Sequence, residues 1–188
     1  MDLVIFDVDK TIVKGNLHEI AIKIWAEKNA LRILVLHIHS FILKLLLFQF
    51  FQRKIEYFIL FLISDEELKY LVKNIVDDEL YINRQLLNRI NSYKRRNINV
   101  VLISAAPSKI ISHISSHLNV NYHSSSMFLG ILFKDLLARK VDVYKRLIQS
   151  NYKIKSIYSD SKLDFYKDSK SFLIDSSYKC KLFRDTNI

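Results

Sequence analysis

Residues 3–11 read LVIFDVDKT. The run 3–8 is apolar and ends in acids, the pattern of a buried strand whose polar groups sit at its carboxyl end. In an extended segment, residues i and i+2 face the same way. Asp7 and Asp9 therefore point into one site. Two close carboxylates repel, so a divalent metal, a hydrogen-bond network or a shared proton must stabilise them.

Outward from this stretch, further apolar runs alternate with helical patterns. A helix over 86–96 precedes a strand at 98–103, INVVLI, and a helix over 108–118 follows. Residues 121–133 alternate around Gly130 and predict a strand or hairpin. A helix is expected from Lys140 to about 150, then a strand at 154–158, and SFLID at 171–175 as the last strand. Strands alternating with helices after residue 85 predict a parallel α/β sheet. Ligands of such sheets bind at the carboxyl ends of the strands. Four polar clusters fall there: Asp7–Thr11, Ser104–Pro107, the entry to the helix at Lys140, and Ser159–Asp164. Residues 16–83 break the pattern and read as helices. This gives a core of residues 1–15 and 84–188 with a helical cap, 16–83, inserted after the first strand.

The chain has 188 residues, half of them hydrophobic, a composition that buries a sizeable core. Two glycines and one proline leave no flexible linker or low-complexity tract. A single cysteine, Cys180, forms no internal disulfide and belongs to no zinc-spaced cluster, which fits a reducing compartment. MDLVIFDVDKT lacks the basic start of a signal peptide, so a cytoplasmic location is expected. The formal net charge of +10 suits anionic substrates, lipid headgroups or nucleic acid. Basic residues are spread along the chain, with no basic tail or RNP-type aromatic motif, which argues against nucleic acid.

Residues 31–63 are unusually greasy, yet Arg32, Lys44, Arg53 and Lys54 interrupt them. The longest uncharged stretch, Ile33–Leu43, has eleven residues, against the roughly 20 that a spanning helix needs. A spanning helix is rejected. On a helical wheel His37, Ser40 and Lys44 form one narrow stripe. The apolar remainder fits three arrangements: an ordinary core, a homo-oligomer interface, or peripheral contact with the cytoplasmic side of a membrane. His37 and His39 read as ordinary polar positions.

Each cluster offers specific chemistry. Ser104, with the backbone N–H of Ala105 behind it, suits a phosphate at a strand end. Lys140 opposes the macrodipole of the helix it begins, so its ammonium calls for a phosphate or carboxylate partner. Asp160 and Asp164, four apart, add two acids at the same edge. Gathered oxygen ligands of this kind suit Mg²⁺.

In order and spacing these residues resemble the motifs of the haloacid dehalogenase superfamily. FDVDKTIV resembles its Asp-x-Asp-x-Thr motif, LISAAP its second, ARKVDVYKRL its third, and YSDSKLD its fourth. SAAP, with a helical insertion directly after the first motif, is most similar to the phosphoserine-phosphatase-like branch with a small helical cap. The resemblance implies a Rossmann-like parallel sheet flanked by helices and a phosphatase that forms an aspartyl-phosphate. Asp7 is then the nucleophile and Asp9 the general acid and base. Mg²⁺ is held by Asp7, Asp160 and the backbone carbonyl of Asp9. Thr11, Ser104, Ala105 and Lys140 hold the phosphate, and Asp164 supports the metal site or Lys140. The implied substrate is a small or lipid- or sugar-linked phosphate. Asn16 stands where the branch's phosphoserine enzymes carry a cap glutamate, with Glu19 close by.

Two other functions use the same residues or ignore them. A phosphotransferase or phosphomutase would share the site. A non-catalytic membrane-surface or partner-binding protein would explain the charge and the greasy insertion but not the four motifs. A receiver-type signalling domain lacks both the insertion and the Asp-x-Asp-x-Thr start.

Overall fold

The computed structural model describes residues 1–45, 49–137, 139–167 and 169–183. Parts of three expectations lie outside them: 46–48 in the expected cap, Ala138 in the third motif, and 168 and 184–188 in the expected core.

In chain order the elements are β1 (Asp2–Phe6), α1 (Leu17–Ala26), α2 (Ala30–Leu45), α3 (Gln49–Ile55), α4 (Phe58–Leu62), α5 (Asp65–Asp77), α6 (Arg84–Arg95), β2 (Asn99–Pro107), α7 (Ser108–Leu118), β3 (Asn121–Phe128), β4 (Ile131–Lys134), α8 (Lys140–Gln149), β5 (Lys153–Ser159), β6 (Lys170–Ile174) and β7 (Cys180–Phe183). Among the described residues the strands form one sheet, ordered β4-β3-β2-β1-β5-β6-β7. The five inner strands are parallel, and β4 and β7 close the edges antiparallel. This is the expected α/β sheet flanked by helices. The strand order reverses at β1, which places the ligand crevice beyond its carboxyl end.

β1 is buried because both of its faces are covered. Its side chains alternate with period two. Leu3 and Ile5 join Val101, Ile103, Val143, Tyr144 and Leu147 on the α8 side. Val4 and Phe6 join the larger core on the opposite face, with residues of α1 and α4–α7. At the carboxyl end, Phe6, Tyr158 and Phe172 stack across three neighbouring strands, with ring centroids 4.4 and 4.6 Å apart. Such cross-strand aromatic pairs fix register, here just before Asp7 and Asp160.

Three boundaries differ from the sequence reading. β1 ends at Phe6, because Val8–Ile12 wrap into a tight turn in which Lys10 adopts φ 54. β2 runs on to Pro107, since Ser104 and Pro107 still pair with β3. SFLID is followed by another strand, β7, four residues long and paired through Phe172–Leu182. A short edge strand next to a turn carries too little periodicity to be read from sequence.

Helices α1–α5 lie between β1 and β2, and their entry and exit are clamped. Val13 bridges Ile82, Lys14 N donates to Tyr81 O at 2.7 Å, and Asn83 N donates to Ile12 O at 2.8 Å. α5 starts at a Ser64 N-cap, whose side chain accepts from Glu67 N, and three acids fill the first turn. Leu68, Leu71, Val72, Ile75 and Val76 bury its inner face against α1 and α7. From α7, Lys109 Nζ donates to the Leu60 and Ile63 carbonyls at 2.6 and 2.7 Å, satisfying the end of α4.

α2 behaves differently. It turns Val35, Leu36 and His39 inward, and the His39 ring hydrogen-bonds Ile55 O at 3.0 Å. Most of its large apolar residues face outward. The greasy insertion is therefore only partly an ordinary core. Among the described residues no helix is long and apolar enough to cross a membrane.

Candidate active site

A cavity of about 690 Å³ opens beyond the carboxyl ends of β1, β2 and β5. Its floor carries Asp7, Asp9, Ala105, Lys140, Asp160 and Asp164. Another cavity of about 640 Å³ lies at the opposite ends of β2 and β3, and its lining contains no acid.

Asp7 follows β1 directly and is held by the sheet, its N–H donating to Tyr158 O at 2.9 Å. Lys140, the first residue of α8, is buried. Its Nζ donates to Asp7 Oδ1 at 2.8 Å and to Asp164 Oδ2 at 2.7 Å. The carboxylate partner that its place at a helix start required is thus present twice over. Burial disfavours the charged lysine, yet Asp7 and Asp164 together hold its pKa above the ordinary value. Burial pushes the Asp7 carboxyl up to about 7, against the pull of Lys140 and with the push of Asp164 and Asp9. Lys134, on the β3–β4 hairpin, is exposed at the end of β4.

Asp9 sits on the turn after Asp7, and its Oδ1 accepts from Leu17 N at 2.7 Å. Burial raises its pKa, while that hydrogen bond, His18, Lys140 and Arg53 oppose the shift. Asp164 is buried and also accepts from Ser159 Oγ at 2.5 Å. Asp160 lies on the cavity wall.

Two expected phosphate ligands stand deeper than the sequence suggested. Thr11 is fully buried, and its Oγ1 accepts from Asp160 N at 3.0 Å. In this arrangement Thr11 positions the Asp160 loop. Ser104 is also fully buried, its Oγ accepting from Ala106 N at 3.1 Å. Ala105 and Ala106 are the members of that motif on the cavity wall, and the Ala105 carbonyl accepts from Ser125 Oγ at 2.7 Å and from an Arg53 guanidinium N–H at 3.3 Å.

Besides Asn16, the insertion supplies residues that no motif announced. Asn16, His18, Arg53, Glu56 and Tyr57 form the cavity's other wall. Arg53 is bound by Asp135 at 3.1 Å, by Glu56 at 3.0 Å and by the Tyr57 hydroxyl. His18 Nε2 lies 3.2 Å from Glu56, and its buried Nδ1 has no partner among the described residues. One ligand atom from each of His18, Glu19 and Glu56 lies within 4.8 Å of the others. Spacings of 35 and 38 residues from His18 to Arg53 and Glu56 give no periodic signal. Only the folded insertion brings these residues together.

Against this geometry, residues 4–166 match the family model of haloacid dehalogenase-like hydrolases. The chain belongs to that family, and its members are hydrolases. A protein of unknown function from Bordetella pertussis Tohama I is similar in structure, with TM-score 0.57 and 13% identity over 82% of this chain and 81% of that one. A HAD family hydrolase from Salmonella enterica serovar Typhi has TM-score 0.52 and 12% identity over 83% of this chain and 55% of that one. A phosphoserine phosphatase in apo form has TM-score 0.49 and 13% identity, with 86% and 78% covered. At these identities the likeness is one of fold. No curated protein matches the sequence.

Proposed function

We propose that this chain is a Mg²⁺-dependent phosphomonoesterase that works through an aspartyl-phosphate on Asp7. The observation that carries the reading is the buried Lys140 ammonium bridging Asp7 and Asp164, with Asp9 and Asp160 on the same cavity.

The family implies a magnesium ion. Asp7, Asp9, Asp160 and Asp164 share the cavity, the Lys140 ammonium contacts Asp7 and Asp164, and burial already pushes Asp7 up to about 7, the sign of a carboxylate short of counter-charge. Hard oxygen donors with excess negative charge fit Mg²⁺. Asp7, Asp160 and the Asp9 carbonyl would hold it. When bound, it offsets charge on the phosphoryl oxygens as a Lewis acid.

Asp7 attacks phosphorus through its free carboxylate oxygen while Lys140 fixes Oδ1. As the phosphorus–oxygen bond to the leaving group breaks, Asp9 delivers its proton to the departing oxygen. Its raised pKa supports that role. Asp9 then takes a proton from water, which attacks phosphorus and releases phosphate from Asp7. The Ala105 N–H and Lys140 stabilise the phosphoryl oxygens, with Ser104, Thr11 and Asp164 holding the frame. Residues 16–83 act as the cap, and Arg53, Glu56, His18 and Tyr57 meet the substrate's leaving group.

The test is phosphate release from a panel of soluble, sugar- and lipid-linked phosphomonoesters with Mg²⁺ or EDTA. Release that EDTA stops, and that Asp7→Asn lowers by at least about 10³-fold, is the expected result. No release from any ester in Mg²⁺ would sink the reading.

A further inference from the structure

The outer face of α2 is apolar and has no partner in the fold. Leu31, Leu34, Ile38, Phe41 and Leu45 recur at i, i+3, i+7, i+10 and i+14, and each is more than half exposed. A stripe at this spacing normally turns toward a core, yet here the helix buries His39 instead. The β3–β4 hairpin has the same character. Phe128 and Leu129 at its tip and Phe133 are all more than three-fifths exposed.

These pieces are joined. Gln52 Nε2 donates to Leu43 O at 3.1 Å, and His39 meets Ile55, which ties α2 to α3. A Cβ on Gly130 would lie 2.8 Å from Phe58 and 3.1 Å from Phe61, so the hairpin turn is seated directly on α4. Arg53 and Glu56 of the same region line the catalytic cavity.

Charge selects the occupant. No acid occurs from Lys28 to Ile55, where Lys28, Arg32, Lys44, Arg53 and Lys54 stand, and none from Leu80 to Lys134. Arg32 is held by Glu67 at 2.7 Å and Arg53 by Asp135 and Glu56, which leaves exposed Lys44 at the end of α2 and Lys134 at the end of β4 beside the patch. Two copies paired in parallel through α2 would set Lys44 against Lys44 with no carboxylate on either helix to offset them. Apolar side chains flanked by Lys44 and Lys134, on segments that themselves hold no acid, match a negatively charged lipid surface, which accepts the stripe between its headgroups and attracts the lysines. We propose that α2 and the β3–β4 hairpin form a docking surface for an anionic bilayer, with the helix lying in the interface rather than crossing it.

Flotation tests this without any catalytic readout. Wild type and Asp7→Asn are mixed with vesicles of phosphatidylcholine alone or with one-third phosphatidylglycerol. Both proteins should float with the anionic vesicles and stay behind with the neutral ones, whatever becomes of the phosphatase reading. Leu34→Glu with Phe41→Glu, and separately Phe133→Glu, should each lower partitioning about tenfold or more. Circular dichroism and hydrolysis of a soluble ester check that these exposed variants keep the fold and site. Binding that ignores the variants, or wild type that never floats, overturns the proposal. A concentration-dependent dimer in sedimentation that Leu34→Glu dissociates, without flotation, would assign the face to a second copy instead.

Discussion

β1 and α2 are both rich in apolar residues. Four of the five β1 residues are buried, whereas in α2 only His39 is. The strand sits between two layers of helices, so each of its side chains meets a packed face. The helix lies on the outside of the insertion and packs on one side only. Hydrophobic composition therefore fixes what a segment can bury, and topology decides whether it does. The same contrast separates the two walls of the cavity. The sheet wall is built from strand ends held by many backbone partners. The other wall depends on side chains of an insertion clamped at residues 12–14 and 81–83.

The largest effect is expected at the sheet wall. Lys140→Met removes the cation shared by Asp7 and Asp164, and should lower turnover about 10²- to 10³-fold in steady-state kinetics. An equal loss for Arg53→Met, on the opposite wall, would mean that the insertion carries as much chemistry as the sheet. Next in size is the packing contrast within the insertion. Leu71→Ala, at a fully buried α5 site, should destabilise by about 2–5 kcal/mol in urea unfolding. Leu34→Ser on the exposed stripe should change stability by less than about 0.5 kcal/mol. Comparable losses would show that α2 is covered in solution.

A smaller effect concerns pH. In the unfolded chain Asp7 titrates near its ordinary value of 3.8, and in the folded metal-free protein near about 7. Between these values the folded state holds a proton that the unfolded state has lost. Stability from this group therefore falls as pH rises from about 4 to about 7, then levels off. Asp7→Asn should flatten that part of the thermal-unfolding profile. It should also make the metal-free protein more stable than wild type at pH 8. Added Mg²⁺ at pH 8 should raise the wild-type melting temperature more than that of the variant. A profile for Asp7→Asn that matches wild type would place the charge imbalance elsewhere.

Much of this molecule was legible from sequence, for physical reasons. Strands buried on both faces are continuous apolar runs, so β1, β2 and β5 stood out. The polar groups at their carboxyl ends, Asp7, Ser104 and Asp160, had to share an edge once the sheet was parallel. Lys140 was legible because a cation at a helix start needs a partner. Less accessible was depth. Thr11 and Ser104 sit behind the cavity wall, a matter of how the turn after β1 and the bend of β2 pack. β7 escaped notice because four residues at an edge carry little pattern. His18, Arg53 and Glu56 meet only when the insertion folds, and the outward face of α2 reverses the burial that its composition predicts.

The central claim is that Asp7 carries the phosphoryl group. Acid quenching within the first turnover, followed by mass spectrometry of the peptide containing residues 2–10, tests it directly. The account predicts one phosphate on Asp7, released by hydroxylamine as an acyl phosphate is, and none in Asp7→Asn. Full phosphate release by the wild type with no modified Asp7 at any quench time, or undiminished release by Asp7→Asn, would contradict it.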